Sequence, residues 1–124
     1  MTEHPPSLRL LVLKSAKTEA VLAFYTAIGL SFKQEQHGTG PLHNSTQIGA
    51  TVFELYPLGR KDAADTTTRL GFAVDDLDMT LGRLKAVNGE VSREPENTPW
   101  GRRAVVRDPD GRSIELYERT TKEE

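Results

Sequence analysis

The chain has 124 residues, of which 36% are hydrophobic and 27% charged, with a formal net charge of -2 at pH 7 and no cysteine. This size fits one compact domain or two small fused modules, and the charge leaves no basic excess for nucleic-acid phosphates. Without cysteine there is no disulfide, thiolate metal ligand or cysteine nucleophile. No apolar run approaches the roughly 20 residues of a membrane span, and no secretory signal pattern is visible. We therefore expect a cytoplasmic protein with neither a nucleic-acid nor a membrane partner.

The first half of the sequence predicts a strand, a helix and three further strands. Residues 7–14 form a short apolar run that is typical of a strand. Residues 18–28 place apolar side chains at three- and four-residue steps, which predicts an amphipathic helix that ends at Gly29. Three more strands are predicted at 30–36, 42–47 and 50–57.

The second half predicts the same order of elements after a polar linker at 58–68. A strand at 69–74 leads into a helix that Asp75 or Asp76 can cap and that ends at Asn88-Gly89. The remaining predictions are a strand at 90–93, a proline-rich loop through Pro99, strands at 102–107 and 112–118 around the turn 108–111, and a frayed tail at 120–124.

One short, mainly apolar sequence motif occurs twice. Phe53–Tyr56 (FELY) recurs about 61 positions later as Ile114–Tyr117 (IELY), close to half the chain length. Such a spacing indicates an internal duplication. Burying a carboxylate within an apolar strand costs free energy unless a cation pairs with it. The repeated glutamate is therefore the residue of interest. The duplication divides a single domain, 1–124, into modules at 7–57 and 69–119 with the linker 58–68 between them.

Several motifs together resemble a known family. They are 22–25 (LAFY), 28–30 (IGL), 52–57 (VFELYP) and the stretch from Trp100-Gly101 to 108–116 (DPDGRSIEL). With the duplicated βαβββ order, they resemble the vicinal oxygen chelate superfamily, which includes glyoxalase I, extradiol dioxygenases and the fosfomycin and bleomycin resistance proteins. The resemblance implies an α+β fold in which two βαβββ modules form a cleft of curved sheets, with helices on the outer faces. It also implies a homodimer.

Catalytic members of this superfamily usually hold a divalent metal ion with a histidine on the first strand and a glutamate on the last strand of each module. The matching positions here are Leu10, Glu54, Arg69 and Glu115. Leucine offers no ligand atom, and arginine does not lose its proton in proteins. We therefore expect no metal cofactor, and hypothesise that Arg69 faces both glutamates and replaces the ion. The alternative interpretation is an inert ion pair that organises the core.

A relocated metal site is a further alternative. If Ile48-Gly49 is a two-residue hairpin loop, then His43 lies opposite Glu54, and directly opposed residues share a face of the sheet. A divalent ion could then bind His43, Glu54 and Glu115, with His37 nearby. A surface or hydrogen-bonding role for His43 is the simpler interpretation.

The second hairpin predicts a neighbour for the other glutamate. If Arg107 pairs with Arg112, then Ala104 lies opposite Glu115 and Arg102 shares its face. Arg102 could meet an anionic group of a ligand, or it could be an ordinary solvated charge on a strand.

Three aromatic residues complete the predicted cleft. Trp100 could stack on a planar ligand, or it could pack over the mouth of the cleft. Tyr56 and Tyr117 each follow a repeated glutamate by two residues and share its face by strand alternation.

Three functional hypotheses follow, and enzymatic activity stays open among them. The first is a protein of the glyoxalase and bleomycin resistance type that binds a small organic molecule in a metal-free cleft. The second is a metal-dependent lyase, isomerase or dioxygenase with the relocated site. The third is an interaction module with a vestigial cleft. The sequence does not identify the ligand.

Overall fold

The computed structural model describes residues 3–120, so most of the predicted tail lies outside the described residues. Within these residues, eight strands and two helices follow one another, and the order strand, helix, three strands occurs two times. The first set is β1 (Leu10–Ser15), α1 (Thr18–Ile28), β2 (Lys33–Glu35), β3 (His43–Ile48) and β4 (Thr51–Pro57). The second set is β5 (Leu70–Val74), α2 (Leu77–Ala86), β6 (Glu90–Thr98), β7 (Gly101–Arg107) and β8 (Ser113–Glu118).

The strands form two four-stranded sheets with the same topology. The strand orders are β1-β4-β3-β2 in the first sheet and β5-β8-β7-β6 in the second. In each sheet the first strand pairs in parallel with the last, and the other pairs are antiparallel. A parallel pair needs a crossover connection, which the helix begins in both modules. The predicted α+β fold with duplicated βαβββ order is confirmed.

Both helices form where the apolar spacing predicts them. Val21, Phe24 and Tyr25 of α1 are buried, and the helix ends at Gly29, whose φ of 124° suits a residue without a Cβ. Asp76 caps α2 by accepting a hydrogen bond from the Met79 amide at 3.0 Å. Neither helix in the described part of the chain is long and apolar enough to cross a membrane.

The strand prediction was wrong at β6, which continues to Thr98 where a proline-rich loop was expected. The pairing of β6 with β7 shifts register between Val91 and Arg93 and again between Arg93 and Glu96. Pro95 lies in the second irregularity of this edge strand, where its missing N–H removes no regular ladder bond. β1 begins three residues later than predicted, and β2 is shorter than predicted because only Lys33–Glu35 pair with β3.

A buried network joins the two modules. Arg112 is fully buried and donates hydrogen bonds to Asp108 at 3.0 Å and to the Lys14 carbonyl oxygen at 2.7 Å. The Tyr25 hydroxyl donates to the same Asp108 carboxylate at 2.7 Å. Burial, followed by the charge of Asp108, raises the pKa of Tyr25 above its ordinary value. The ring of Tyr25 also packs against Phe72 of the second module, with ring centroids 6.2 Å apart, so residues from both modules share one core.

Candidate functional site

Alternate residues of the first sheet project away from the core and form a surface that we call the open face. Val12 pairs with Glu54 and Lys14 with Tyr56 in parallel register, so these side chains lie side by side. Leu11 and Leu13, which flank Val12 along β1, point to the core. The open face comprises Leu10, Val12 and Lys14 on β1, Val52, Glu54 and Tyr56 on β4, His43 and Ser45 on β3, and Lys33 and Glu35 on β2.

The first hairpin has a different register from the predicted one. Ile48 pairs with Thr51, so the turn is formed by Gly49 and Ala50, and Ser45 rather than His43 lies opposite Glu54. Gly49 has a φ of 58°, which favours glycine and fixes the turn there. The shift is two residues, and side chains alternate with a period of two. His43 therefore stays on the same face as Glu54.

His43 is the centre of a polar cluster at one end of the open face. Its Nε2 atom lies 3.5 Å from Glu35 Oε1 and 3.6 Å from Glu54 Oε2. The imidazole stacks on Tyr56, with ring centroids 4.1 Å apart and an angle of 9° between the planes. His37 completes the cluster, with its Nε2 atom 3.7 Å from Glu35 Oε1.

The cluster differs from the relocated metal site that the sequence suggests. Ligand atoms of Glu35, His37, His43 and Glu54 all lie within 4.8 Å of one another, whereas Glu115 is on the other sheet and outside this group. Sequence reasoning missed Glu35. Pairing β2 with β3 would have identified it, because Glu35 lies directly opposite His43.

Glu115 on the second sheet has cationic partners of its own. Arg69 and the Tyr117 hydroxyl both donate hydrogen bonds to its carboxylate, and Arg103 Nη1 lies 3.6 Å from Oε1. These hydrogen bonds and charges, led by the Tyr117 hydroxyl, hold the pKa of Glu115 below its ordinary value against the opposing effect of burial. The second module thus neutralises its glutamate internally.

The hypothesis that Arg69 faces both glutamates was wrong. Among the described residues Arg69 forms an ion pair with Glu115 only, and its side chain is largely exposed. The residue precedes Leu70, which pairs with Ile114 in the parallel ladder of β5 and β8. Arg69 therefore reaches the glutamate of its own sheet.

The predicted register of the second hairpin was wrong by one residue. Asp108 N donates to the Arg112 carbonyl oxygen, which leaves a three-residue loop that includes Gly111 with a φ of 98°. Val105, not Ala104, therefore lies opposite Glu115. A one-residue change reverses every side chain.

Arg102 consequently lies on the helix side of the second sheet. Its guanidinium is 3.0 Å from Asp78 on α2 and 3.5 Å from Glu118. Arg103 occupies the place beside Glu115 that was predicted for Arg102. Trp100 is exposed in the turn between β6 and β7, where its amide donates to Thr98 Oγ1.

Two grooves flank Glu54 on the first sheet. One has a volume of about 640 Å³ and is lined mainly by polar and charged residues, and the other has a volume of about 490 Å³ and is mainly apolar. Both volumes are in the range of small-molecule sites. The polar groove is lined by residues including Phe32, Lys33, Glu35, His37, Ser45 and Glu54. The apolar groove is lined by residues including Leu10, Val12, Pro41, Tyr56, Pro57 and Leu58.

The positions that hold a metal ion in catalytic members of the resembled superfamily do not suit one here. Leu10 presents a hydrocarbon side chain to the open face, where it is 53% exposed. Arg69 is a cation already paired with Glu115. Positions 10 and 69 supply no imidazole, and the two glutamates lie on separate sheets. These positions therefore do not form the nitrogen-containing ligand set that transition metals favour.

Comparisons of the sequence and of the structure with known proteins indicate the same family. The model of the Glyoxalase/Bleomycin resistance protein/Dioxygenase superfamily matches residues 11–116. The chain is 38% identical over 73 residues to "Probable lactoylglutathione lyase, chloroplastic" of Arabidopsis thaliana, a match that covers 55% of this chain and 21% of that protein. It is 45% identical over 47 residues to anthracycline biosynthesis protein DnrV of Streptomyces peucetius, covering 38% and 17%. The matches thus span about a fifth of these curated relatives.

Solved structures share the whole fold. TnmS3, an antibiotic binding protein from Streptomyces sp. CB03234, superposes with a TM-score of 0.74 at 25% identity, over 96% of this chain and 100% of that chain. A glyoxalase/bleomycin resistance protein from the same strain superposes with a TM-score of 0.68 at 28% identity, over 90% and 100%.

Proposed function

Because the chain belongs to the Glyoxalase/Bleomycin resistance protein/Dioxygenase superfamily, we propose that it binds a small organic molecule in the apolar groove of its open face. Binding there uses no metal ion at the superfamily positions 10 and 69. The groove supplies apolar contact area, and Glu54 at its inner edge supplies a hydrogen-bond acceptor.

The observation that carries this proposal is the pair of exposed aliphatic side chains on β1. Leu10 is 53% exposed and Val12 is 37% exposed, and both line the same groove. Exposed apolar side chains that are grouped in a groove are typical of ligand-binding sites, whereas single exposed apolar residues are common on any protein surface. Covering such a side chain contributes about 1.5–3 kcal/mol when burial is complete.

The relatives suggest a class of ligand to test. TnmS3 is an antibiotic binding protein, and DnrV is an anthracycline biosynthesis protein. An anthracycline is a planar polycyclic aromatic molecule with a basic sugar. Its ring system matches the apolar lining, and its ammonium group could pair with Glu54. These likenesses support an aromatic ligand with an apolar plane and a polar substituent.

A binding titration with daunorubicin as the probe tests the proposal. With a chelator present throughout, we expect saturable quenching of the drug's fluorescence and a higher melting temperature, because a ligand that binds only the folded state stabilises it. Val12→Lys places a charge in the groove and should weaken binding at least about ten-fold, equivalent to ~1.4 kcal/mol. The matched control is Met79→Lys, at an exposed methionine on α2.

Two results would contradict this function. A probe that neither binds nor shifts the melting temperature of the wild-type protein would favour the vestigial interaction module. Equal weakening by Val12→Lys and Met79→Lys would mean that the probe binds non-specifically. The homodimer and the cytoplasmic location stay predictions, and light scattering of the purified protein measures the first.

A further inference from the structure

We propose that Glu35, His37, His43 and Glu54 bind a divalent transition-metal ion. The observations that support this site do not depend on the proposed function. The site also departs from the expectation that the protein has no metal cofactor. It shares only Glu54 with the superfamily positions, and its other ligands come from β2, β3 and the loop that joins them.

The distances between the side chains suit a metal ion that is shared by them. Zinc binds imidazole nitrogen at about 2.0–2.1 Å and carboxylate oxygen at about 2.0–2.2 Å, so two ligands of a tetrahedral site lie roughly 3.3–3.5 Å apart. His43 Nε2 lies 3.5 Å from Glu35 and 3.6 Å from Glu54, and His37 Nε2 lies 3.7 Å from Glu35. These spacings are longer than good hydrogen bonds and close to the edges of such a tetrahedron.

The hydrogen bonding of His43 provides an independent indication. Its Nδ1 atom lies 3.2 Å from the Pro41 carbonyl oxygen, which can only accept, so Nδ1 carries the proton. In the neutral ring Nε2 then presents a lone pair. The side chain is 1% exposed, and Nε2 has no hydrogen-bond partner among the described residues. A buried lone pair that faces two carboxylates is unfavourable unless a cation, either a proton on Nε2 or a metal ion, lies between them. The separations of 3.5 and 3.6 Å are long for hydrogen bonds from a protonated ring and favour the metal ion.

This arrangement is also the usual one for a metal-binding histidine. Ligating histidines donate their second ring N–H to a carbonyl or carboxylate, which fixes the ring and the tautomer. The Pro41 carbonyl takes that role for His43, and stacking on Tyr56 fixes the plane of the ring. The fixed ring directs Nε2 to the space between Glu35 and Glu54.

The charge around the cluster leaves room for a cation. Lys33 is the one neighbouring lysine or arginine that pairs with the cluster in the described part of the chain, and it takes Glu35 Oε2 at 3.3 Å while Oε1 faces the histidines. Glu54 pairs only with His43 there.

The donor atoms indicate the class of ion. Two imidazole nitrogens with two carboxylates suit zinc, cobalt, nickel, manganese or iron, whereas magnesium and calcium prefer sites made of oxygen. His37 is exposed and lies in the loop, so it can rotate onto an ion or leave a position open to solvent. Zinc and cobalt are the ions to test first.

Titration of chelator-treated full-length protein with Zn²⁺ in a calorimeter tests the site, and Co²⁺ absorption reports its coordination. We expect one equivalent per chain. His37→Ala and Glu35→Gln should each weaken binding at least about ten-fold, by analogy with losses of groups that support a metal. The matched controls, His4→Ala and Glu94→Gln, change exposed residues outside the cluster and should leave the affinity unchanged.

A further variant separates metal binding from folding. His43→Phe keeps an aromatic ring against Tyr56 but removes both nitrogens, so it should abolish tight Zn²⁺ binding while the protein stays folded by circular dichroism. The proposal is overturned if wild-type protein takes up neither ion, or if His37→Ala and Glu35→Gln bind Zn²⁺ as tightly as the wild type does. The daunorubicin titration contains a chelator and the Zn²⁺ titration contains no daunorubicin, so failure of one experiment would not be confused with failure of the other.

Discussion

Glu54 in the first module and Glu115 in the second occupy equivalent positions on β4 and β8, but their neighbours differ. The two side chains are almost equally buried, at 12% and 14% exposure. Glu115 receives hydrogen bonds from Arg69 and Tyr117 and faces Arg103. Glu54 faces a buried imidazole and lies close to a second carboxylate, that of Glu35.

The difference shows how one duplicated residue can acquire two roles. Burial imposes a similar cost on both carboxylates, so the partners decide what each can do. In the second module arginine side chains of the protein itself pair with the Glu115 carboxylate, so it is not available to a ligand. In the first module the Glu54 carboxylate remains available, and we infer that it pairs with a ligand or a metal ion.

The largest expected effect is on stability and should distinguish the two glutamates. Glu115→Gln leaves Arg69 and Arg103 without a charged acceptor and should lower the free energy of unfolding by about 1–3 kcal/mol. Glu54→Gln removes a charge that pairs with no arginine or lysine among residues 3–120, and should change the free energy of unfolding by less than about 1 kcal/mol when a chelator is present. Urea unfolding of both variants measures the difference. Equal losses would show that the two environments are energetically alike.

A smaller effect should follow pH. Because the pKa of Glu115 is lowered in the folded protein from an ordinary value of 4.5, its pairing contributes stability above that value. The contribution is lost as pH falls through the lowered pKa. The stability difference between wild type and Glu115→Gln should therefore be full at about pH 6 and shrink on acidification. Urea unfolding at several pH values measures it, and a difference that grows in acid would contradict the assigned environment.

The smallest effect concerns Arg102 and tests the register of the second hairpin. Arg102→Ala removes a surface ion pair with Asp78, so the free energy of unfolding should fall by about 0.2–1 kcal/mol. Arg103→Ala removes a partner of Glu115 and should cost more. Neither daunorubicin nor Zn²⁺ binding should respond to Arg102→Ala. A clear loss of either would place Arg102 on the ligand side and reverse the assigned register.

The sequence alone determined the architecture and part of the site. Apolar spacing located α1 at its observed bounds, and the repeated glutamate revealed the duplicated βαβββ order. His43 and Glu54 were correctly placed on one face despite a register error, because that error was an even number of residues. Local patterns suffice for these features, since helix periodicity and strand alternation depend on neighbours along the chain.

Only the tertiary structure decided which charges meet. An odd error of one residue exchanged Arg102 for Arg103 beside Glu115, because the length of the turn at Gly111 sets the register of the whole hairpin. Glu35 joined the cluster through strand pairing, and Arg69 reached one glutamate instead of two because β5 pairs with β8 in its own sheet. These contacts depend on the pairing of separate strands, which local patterns along the chain do not specify.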